Sequence, residues 1–366
     1  MREMQFTAMV MLTVYTLALL FLLPNKVRRN PVANRSRRLM AWSLALLGLQ
    51  FLIQYAFGFR LMGVTQAVIV NLAFFIPVAS LMSLSLLNLQ RQGQLTTFEK
   101  WVGVPTWLFA MLILGPVVVG APHGSEWVLW TEAAASALYG ILQLFYGWKQ
   151  FKEVKRISAA LDDYYDRDQQ GLLLWMKGTT VLLTVLALFA PVFIFTHGLL
   201  LLIYAIVFIF GISAMWFCFA RYLMSGEMKR VEEAEESEKC SVKCEECATA
   251  QLTDQEREHV EQAVDRWLSH GGHLRKNITK PDVVSEIHIS KELLTAWYKA
   301  NGYDNFKQWL NALRVERAKQ LLKENPTWSN ETVADQCGIS RSRFHSIFKH
   351  AVGLSPTEYQ ERGEKE

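Results

Sequence analysis

An all-α fold in two unlike parts is predicted by two observations. Up to about Leu223 nearly all the chain falls into apolar runs separated by short polar stretches, and from Met224 onward charges, amides and histidines recur every few residues at helical spacing. The averages over 366 residues, 51% hydrophobic and 20% charged with a net charge of +4, conceal this division. Its consequence is two environments, one suited to lipid and one to water.

A helix needs about 20 mostly apolar residues to cross the hydrocarbon core of a bilayer. Seven runs of that kind lie near Met4 to Leu23, Leu39 to Phe59, Val64 to Leu89, Trp101 to Gly120, Trp127 to Trp148, Leu172 to Phe195 and Leu199 to Tyr222. The first differs from a secretory signal, because its basic residues follow the apolar run and no small-x-small cleavage site closes it. It is read as a retained span.

Cytoplasmic loops keep an excess of Lys and Arg. Lys26, Arg28, Arg29, Arg35, Arg37 and Arg38 follow the first run, Arg91 and Lys100 the third, and Lys149, Lys152, Lys155, Arg156 and Arg167 the fifth. The alternate loops are almost free of them. With seven spans this predicts an outer amino terminus and a cytoplasmic carboxyl half, the side on which a bacterium keeps its DNA. The expected location is therefore a bacterial inner membrane crossed several times, and the expected parts are 1–223, a membrane domain, 224–251, a connector, and 252–366, a compact cytoplasmic domain.

The connector, EMKRVEEAEESEKCSVKCEEC, is strongly acidic and lacks hydrophobic periodicity. Beyond it, Thr253 to Ser269 sets Val260, Ala263, Val264, Trp267 and Leu268 on one helical stripe, ended by Gly271-Gly272. A short helix with Val283, Val284 and Ile287 precedes His288-Ile289-Ser290, and Ser290 is placed to cap a second helix. In that helix Leu294, Trp297 and Tyr298 form the expected core face, with Glu292, Thr295, Ala296 and Lys299 opposite and Lys291 at its start. A long helix, Phe306 to Lys323, follows and is stopped by Asn325-Pro326.

The outline then repeats. Thr332 to Gln336 reads as a short helix, Cys337-Gly338-Ile339 as a turn, and Ser340 as the cap of a helix to about Val352. Phe344, Ile347, Phe348 and Ala351 are expected in the core, and Arg341, Ser342, His345, Ser346 and Lys349 outside it. A face of Arg, Ser, His and Lys suits the major groove, where Arg or Lys pairs with guanine edges and Ser with either partner.

These residues carry a resemblance. Arg314-Val315-Glu316-x-Ala318-x-x-Leu321-Leu322, Val333-Ala334, Gly338-Ile339-Ser340, Phe344, Phe348-Lys349, Gly353, Ser355-Pro356 and Tyr359 stand in the order of the AraC/XylS family DNA-binding domain, so the stretch from about Leu274 to Tyr359 resembles it. The resemblance implies two helix-turn-helix units joined by a long helix, a double-stranded DNA partner, no enzymatic activity and, as is common in that family, dimers on paired sites. Lys291, Glu292, Thr295, Lys299, Arg341, Ser342, His345, Ser346 and Lys349 are the expected DNA-contacting residues. From Gln251 to the end there are 17 basic and 17 acidic residues, so attraction to phosphate has to come from local clusters such as Arg341, Arg343, His345, Lys349 and His350.

The expected function is a membrane-bound, sequence-specific transcription regulator whose spans sense an unknown signal or anchor the chain. Two alternatives are a transporter or membrane enzyme with a DNA-binding tail, and a regulator released from its anchor by proteolysis. Intramembrane ionisable clusters and repeats would mark a transporter, and the runs contain one well-enclosed acid, Glu132, a candidate ligand or proton site. Gln50, Gln54, Asn71 and Gln143 read as glue between helices. Cys240, Cys244 and Cys247 have the spacing of thiolates that hold zinc or an iron-sulfur cluster, or they are simply part of the connector. No fourth ligand is fixed and neighbouring glutamates oppose thiolate formation, so no metal or cofactor is expected.

Overall fold

The computed structural model describes residues 2–57, 64–120, 126–166, 170–194, 199–225, 227–235 and 253–363. The named elements of these residues are all helices, and the chain divides into two compact units, 1–157 with 170–229, and 158–169 with 230–366. Residues 158–169, which the sequence reading includes in the membrane domain 1–223, thus belong with the carboxyl half.

The first unit contains α1 (Arg2–Leu17), α2 (Asn25–Arg29), α3 (Pro31–Phe57), α4 (Val64–Gln90), α5 (Thr97–Trp101), α6 (Gly103–Gly120), most of α7 (Glu126–Tyr164), α8 (Gln170–Ile194) and α9 (Leu199–Met224). Among the described residues six helices are long and apolar enough to cross a membrane, and α8 contributes a shorter apolar stretch, Leu173–Phe189. These helices are apolar on both sides. Val68, Leu72, Leu87, Ala110, Leu114 and Tyr139 fill a core, while Trp130 is 75% and Leu112 72% exposed. Outward side chains of that size suit hydrocarbon and not water.

Polar groups inside such a unit must find each other. Gln50 and Gln54 of α3 each donate through Nε2 to Oδ1 of Asn71 on α4, both at 2.6 Å, so three of the four expected glue residues are one knot. Gln143 is buried with its Nε2 unpaired, and does not share that role. Two of the basic residues read from the loops have a structural task. A π-helical turn over Ala18–Leu22 continues α1, and Arg37 closes it by donating to the Leu19 and Leu20 carbonyls at 3.0 and 2.8 Å, with Arg28 on Phe21 O at 2.6 Å. Close packing needs a small residue at Gly103, where a Cβ would come within 2.5 Å of Ser80 Oγ.

The second unit is built on α10 (Asp254–Ser269), α11 (Lys280–Ile287), α12 (Lys291–Ala300), α13 (Phe306–Glu324), α14 (Asn330–Gln336), α15 (Arg341–Val352) and α16 (Pro356–Gly363). Capping explains most starts. Thr253 with Glu256 and Thr279 with Asp282 form reciprocal caps, and Ser290, Asn305 and Ser329 accept from the third amide of α12, α13 and α14. Ser340 is the exception, since it stands at the start of α15 and its side chain makes no cap bond.

Two cores follow from this order. In the first, Trp309 stacks on Trp267 and Tyr298 and meets Trp297 edge-on, with Val260, Val283, Leu294 and Phe306 around them. In the second, Val315, Ala318, Leu322, Val333, Ala334, Ile339, Phe344 and Phe348 pack together. The long helix α13 supplies both, Phe306, Trp309 and Leu310 to one and Val315 to Leu322 to the other.

Candidate nucleic-acid interface

In each repeat a short helix, a tight turn and a second helix meet at a left-handed residue, His288 (φ 56°) in the first and Gly338 (φ 68°) in the second. Ile289 and Ile339 follow them into the two cores. The second turn is the tighter, because a Cβ at Gly338 would lie 2.3 Å from the Leu274 carbonyl. These turns aim α12 and α15.

On α15 the expected face is exposed in full: Arg341, Ser342, His345, Ser346 and Lys349 are all open. Arg341 is held lightly, 2.9 Å from Glu331 of α14, with both side chains more than half exposed, a pairing worth about 1 kcal/mol or less. Ser346 bonds back to the Arg343 carbonyl at 2.9 Å. Ala351, expected in the core, is exposed instead, because the buried ridge of α15 is set by Phe344 and Phe348 alone.

On α12 the correspondence is poorer. Lys299 and Ala296 are exposed, Lys291 and Glu292 half-buried, and Thr295, expected outside, is 6% exposed. Its hydroxyl donates to the Lys291 carbonyl at 2.7 Å, which satisfies it within the helix and lets a polar residue turn inward. Thr295 is therefore removed from the DNA-facing set. Glu132 lies in α7 of the first unit and is buried at 1% exposure, so it does not reach open surface. Cys240, Cys244 and Cys247 lie outside the described residues, and no group of three or more metal-binding side chains occurs among the described ones.

The sequence reading missed how α13 is held at its middle. Arg314, 1% exposed, donates through Nε to the His273 carbonyl (2.8 Å), through Nη2 to the Arg275 carbonyl (2.6 Å) and through Nη1 to Asp166 Oδ1 (2.6 Å). Burial, with Arg314 and Arg317 as added positive neighbours, lowers the pKa of His273 below its ordinary value. In the second turn, burial pushes the Cys337 thiol up to about 11, leaving it protonated and packed as an apolar side chain.

With this geometry the comparisons are direct. Residues 283–362 match the helix-turn-helix domain family. The chain ends in an AraC-type helix-turn-helix domain. The chain is 30% identical across 98 residues to the Probable transcriptional regulator LumQ of Photobacterium leiognathi, covering 26% of this chain and 38% of LumQ. It is 36% identical across 85 residues to the HTH-type transcriptional regulator GadX of Escherichia coli O6:H1, covering 23% and 30%. The chain thus spans little more than a third of these relatives at most, and the helices before the AraC-type domain lie outside the matched family region. No solved structure matches.

Proposed function

We propose that the chain is a membrane-bound transcription regulator that reads double-stranded DNA in sequence-specific fashion through α12 and α15. One observation carries the reading: two repeats present a polar helix face in matching position on one shared helix, α13, and in α15 that face is a continuous exposed set of Arg341, Ser342, His345, Ser346 and Lys349. Helices held in this way enter successive major-groove segments about 34 Å apart on one side of the duplex. Lys291, Glu292 and Lys299 are the contributors from α12.

The apolar helices of the first unit are the membrane domain, sensor or anchor, with the amino terminus outside and the AraC-type domain in the cytoplasm. The domain limits are 1–223, apart from residues 158–169, which belong with the second unit, then 224–251 and 252–366, and the protein acts as a dimer on paired sites. Loop charge and helix length support the membrane assignment, and the relatives named as transcriptional regulators support the activity.

The test uses the intact chain in lipid nanodiscs and duplexes selected from a random pool. Arg341→Ala is expected to weaken the selected site by about 1 to 3 kcal/mol and to relax base choice at one position. An unchanged site preference removes Arg341 from the interface, and no enrichment of any duplex by the wild type overturns the reading.

A further inference from the structure

Residues 158–166, the last turns of α7 and the two residues after it, are seated in the AraC-type domain's own unit by contacts that follow one pattern. Three aspartates each meet a cation of that domain. Asp162 Oδ1 lies 2.7 Å from Lys307 Nζ, Asp163 Oδ2 is 2.7 Å from Lys280 Nζ, and Asp166 Oδ1 is 2.6 Å from Arg314 Nη1. Asp163 Oδ1 also accepts from Tyr298 Oη at 2.5 Å and from the Phe306 amide, which opens α13, at 3.2 Å. Backbone joins in, since the Asp166 amide donates to the Ile278 carbonyl at 3.2 Å and Tyr165 pairs with Thr279 in an isolated antiparallel bridge.

The seat is built and not incidental. Lys280 is fully buried and Arg314 nearly so, and a cation taken that far from water needs a carboxylate beside it. Burial lowers the pKa of Lys280, and Asp163 opposes that shift. Overall charge does not favour DNA. From Gln251 onward the two signs cancel at 17 each, and residues 158–166 add three aspartates with no Lys or Arg, so the seated assembly stands at −3. A net negative surface repels phosphate.

The position matters too. Asp162 lines a cleft of about 740 Å³ together with Lys307, Gln308 and Asn311 of α13 and with Ser346 and His350 of α15. Ser346 is on the exposed face assigned to DNA. A phosphate brought to that cleft meets a carboxylate, and finds Lys307 already occupied.

We propose that the acidic end of α7 is an intramolecular ligand of the AraC-type domain that competes with DNA backbone phosphate, so that DNA binding and the seating of residues 158–166 oppose each other. The proposal rests on the DNA-binding reading above. Because α7 is also one of the helices long enough to span a membrane, a signal that shifts α7 would change how much DNA the domain retains.

The experiment measures retention of random-sequence duplex DNA by the intact protein in nanodiscs at low and high salt. Asp162→Asn removes only a partly exposed pair and leaves the buried ones in place. It is expected to bind about threefold more tightly at low salt, and Asp162→Asn with Asp163→Asn about tenfold, with both gains shrinking as salt rises. Glu261→Gln removes an exposed charge on α10 and is expected to leave affinity unchanged. As a second readout, carbodiimide coupling of Asp162 to Lys307 in the wild type, followed by mass spectrometry, is expected to fall as DNA is added. Equal or weaker binding by both aspartate variants, an equal gain in Glu261→Gln, or coupling that DNA leaves unchanged would overturn the proposal. If every variant and the wild type retain no DNA, the DNA-binding reading fails and the proposal with it.

Discussion

The two helix-turn-helix repeats share a plan and differ in how each is stabilised. The first turn reads His288-Ile289-Ser290 and the second Gly338-Ile339-Ser340. In the first, a histidine bears the left-handed conformation and the serine caps α12. In the second, a glycine bears it, pressed against the Leu274 carbonyl, and the serine makes no cap. The first repeat also holds Asp163 of the acidic end of α7, through Lys280 and Tyr298, and has a buried threonine where an exposed contact was expected. The second keeps its outer face open. The difference suggests a division of labour, with the first repeat fastening the domain and the second offering the fuller surface for recognition.

Removing the tie that holds the middle of α13 should have the largest effect. Arg314→Met leaves Asp166 buried without its cation, and is expected to cost about 3 to 5 kcal/mol. Urea-dependent proteolysis of the second unit would measure it, and a cost under about 1 kcal/mol would show that the tie is dispensable. Next comes the pair of turns. Gly338→Ala adds left-handed strain to a backbone clash and should cost about 2 to 3 kcal/mol, whereas His288→Gly should gain up to about 1 kcal/mol by relieving strain. A cost under about 1 kcal/mol for Gly338→Ala, or a loss of stability in His288→Gly, would break the comparison.

The serines come third. Ser290→Ala should cost about 1 kcal/mol and Ser340→Ala less than about 0.5 kcal/mol, read by the same proteolysis. The smallest difference is one of slope with pH. His273 has a folded pKa below its ordinary 6.5, so above pH 6.5 it contributes nothing, and below it the unfolded chain takes up the proton more readily. Stability should fall as pH drops from 6.5 to the folded value and then level off, and His273→Gln should flatten that segment.

The fold was legible wherever the signal was local. Apolar runs of span length mark the helices of the first unit, Ser290 and Asn325 mark helix ends, and the period of Leu294, Tyr298, Phe344 and Phe348 marks the buried faces. Contacts between distant segments were not legible. Asp163 and Lys280 are 117 residues apart, Asp166 and Arg314 148 apart, and the run LDDYYDRD follows the fifth apolar run among basic neighbours. A cluster of four aspartates in a polar stretch otherwise rich in Lys and Arg was the available clue. For the interface, charge and period identified the open face of α15, but they could not show that Thr295 satisfies its hydroxyl on its own helix and turns inward.

One consequence follows from α13 belonging to both cores. A rod whose first turns are clamped by Trp267 and Tyr298, and whose later turns are clamped by Phe344 and Phe348, gives α12 and α15, the helices proposed to read DNA, no independent pivot. Under the proposed function the operator must then come to the protein. A site with one base pair added between its half-sites turns the second by roughly a tenth of a revolution, and the duplex, being the softer partner, would have to untwist to meet it. Spacing between half-sites would be policed by DNA torsion and not by hinge motion in the protein.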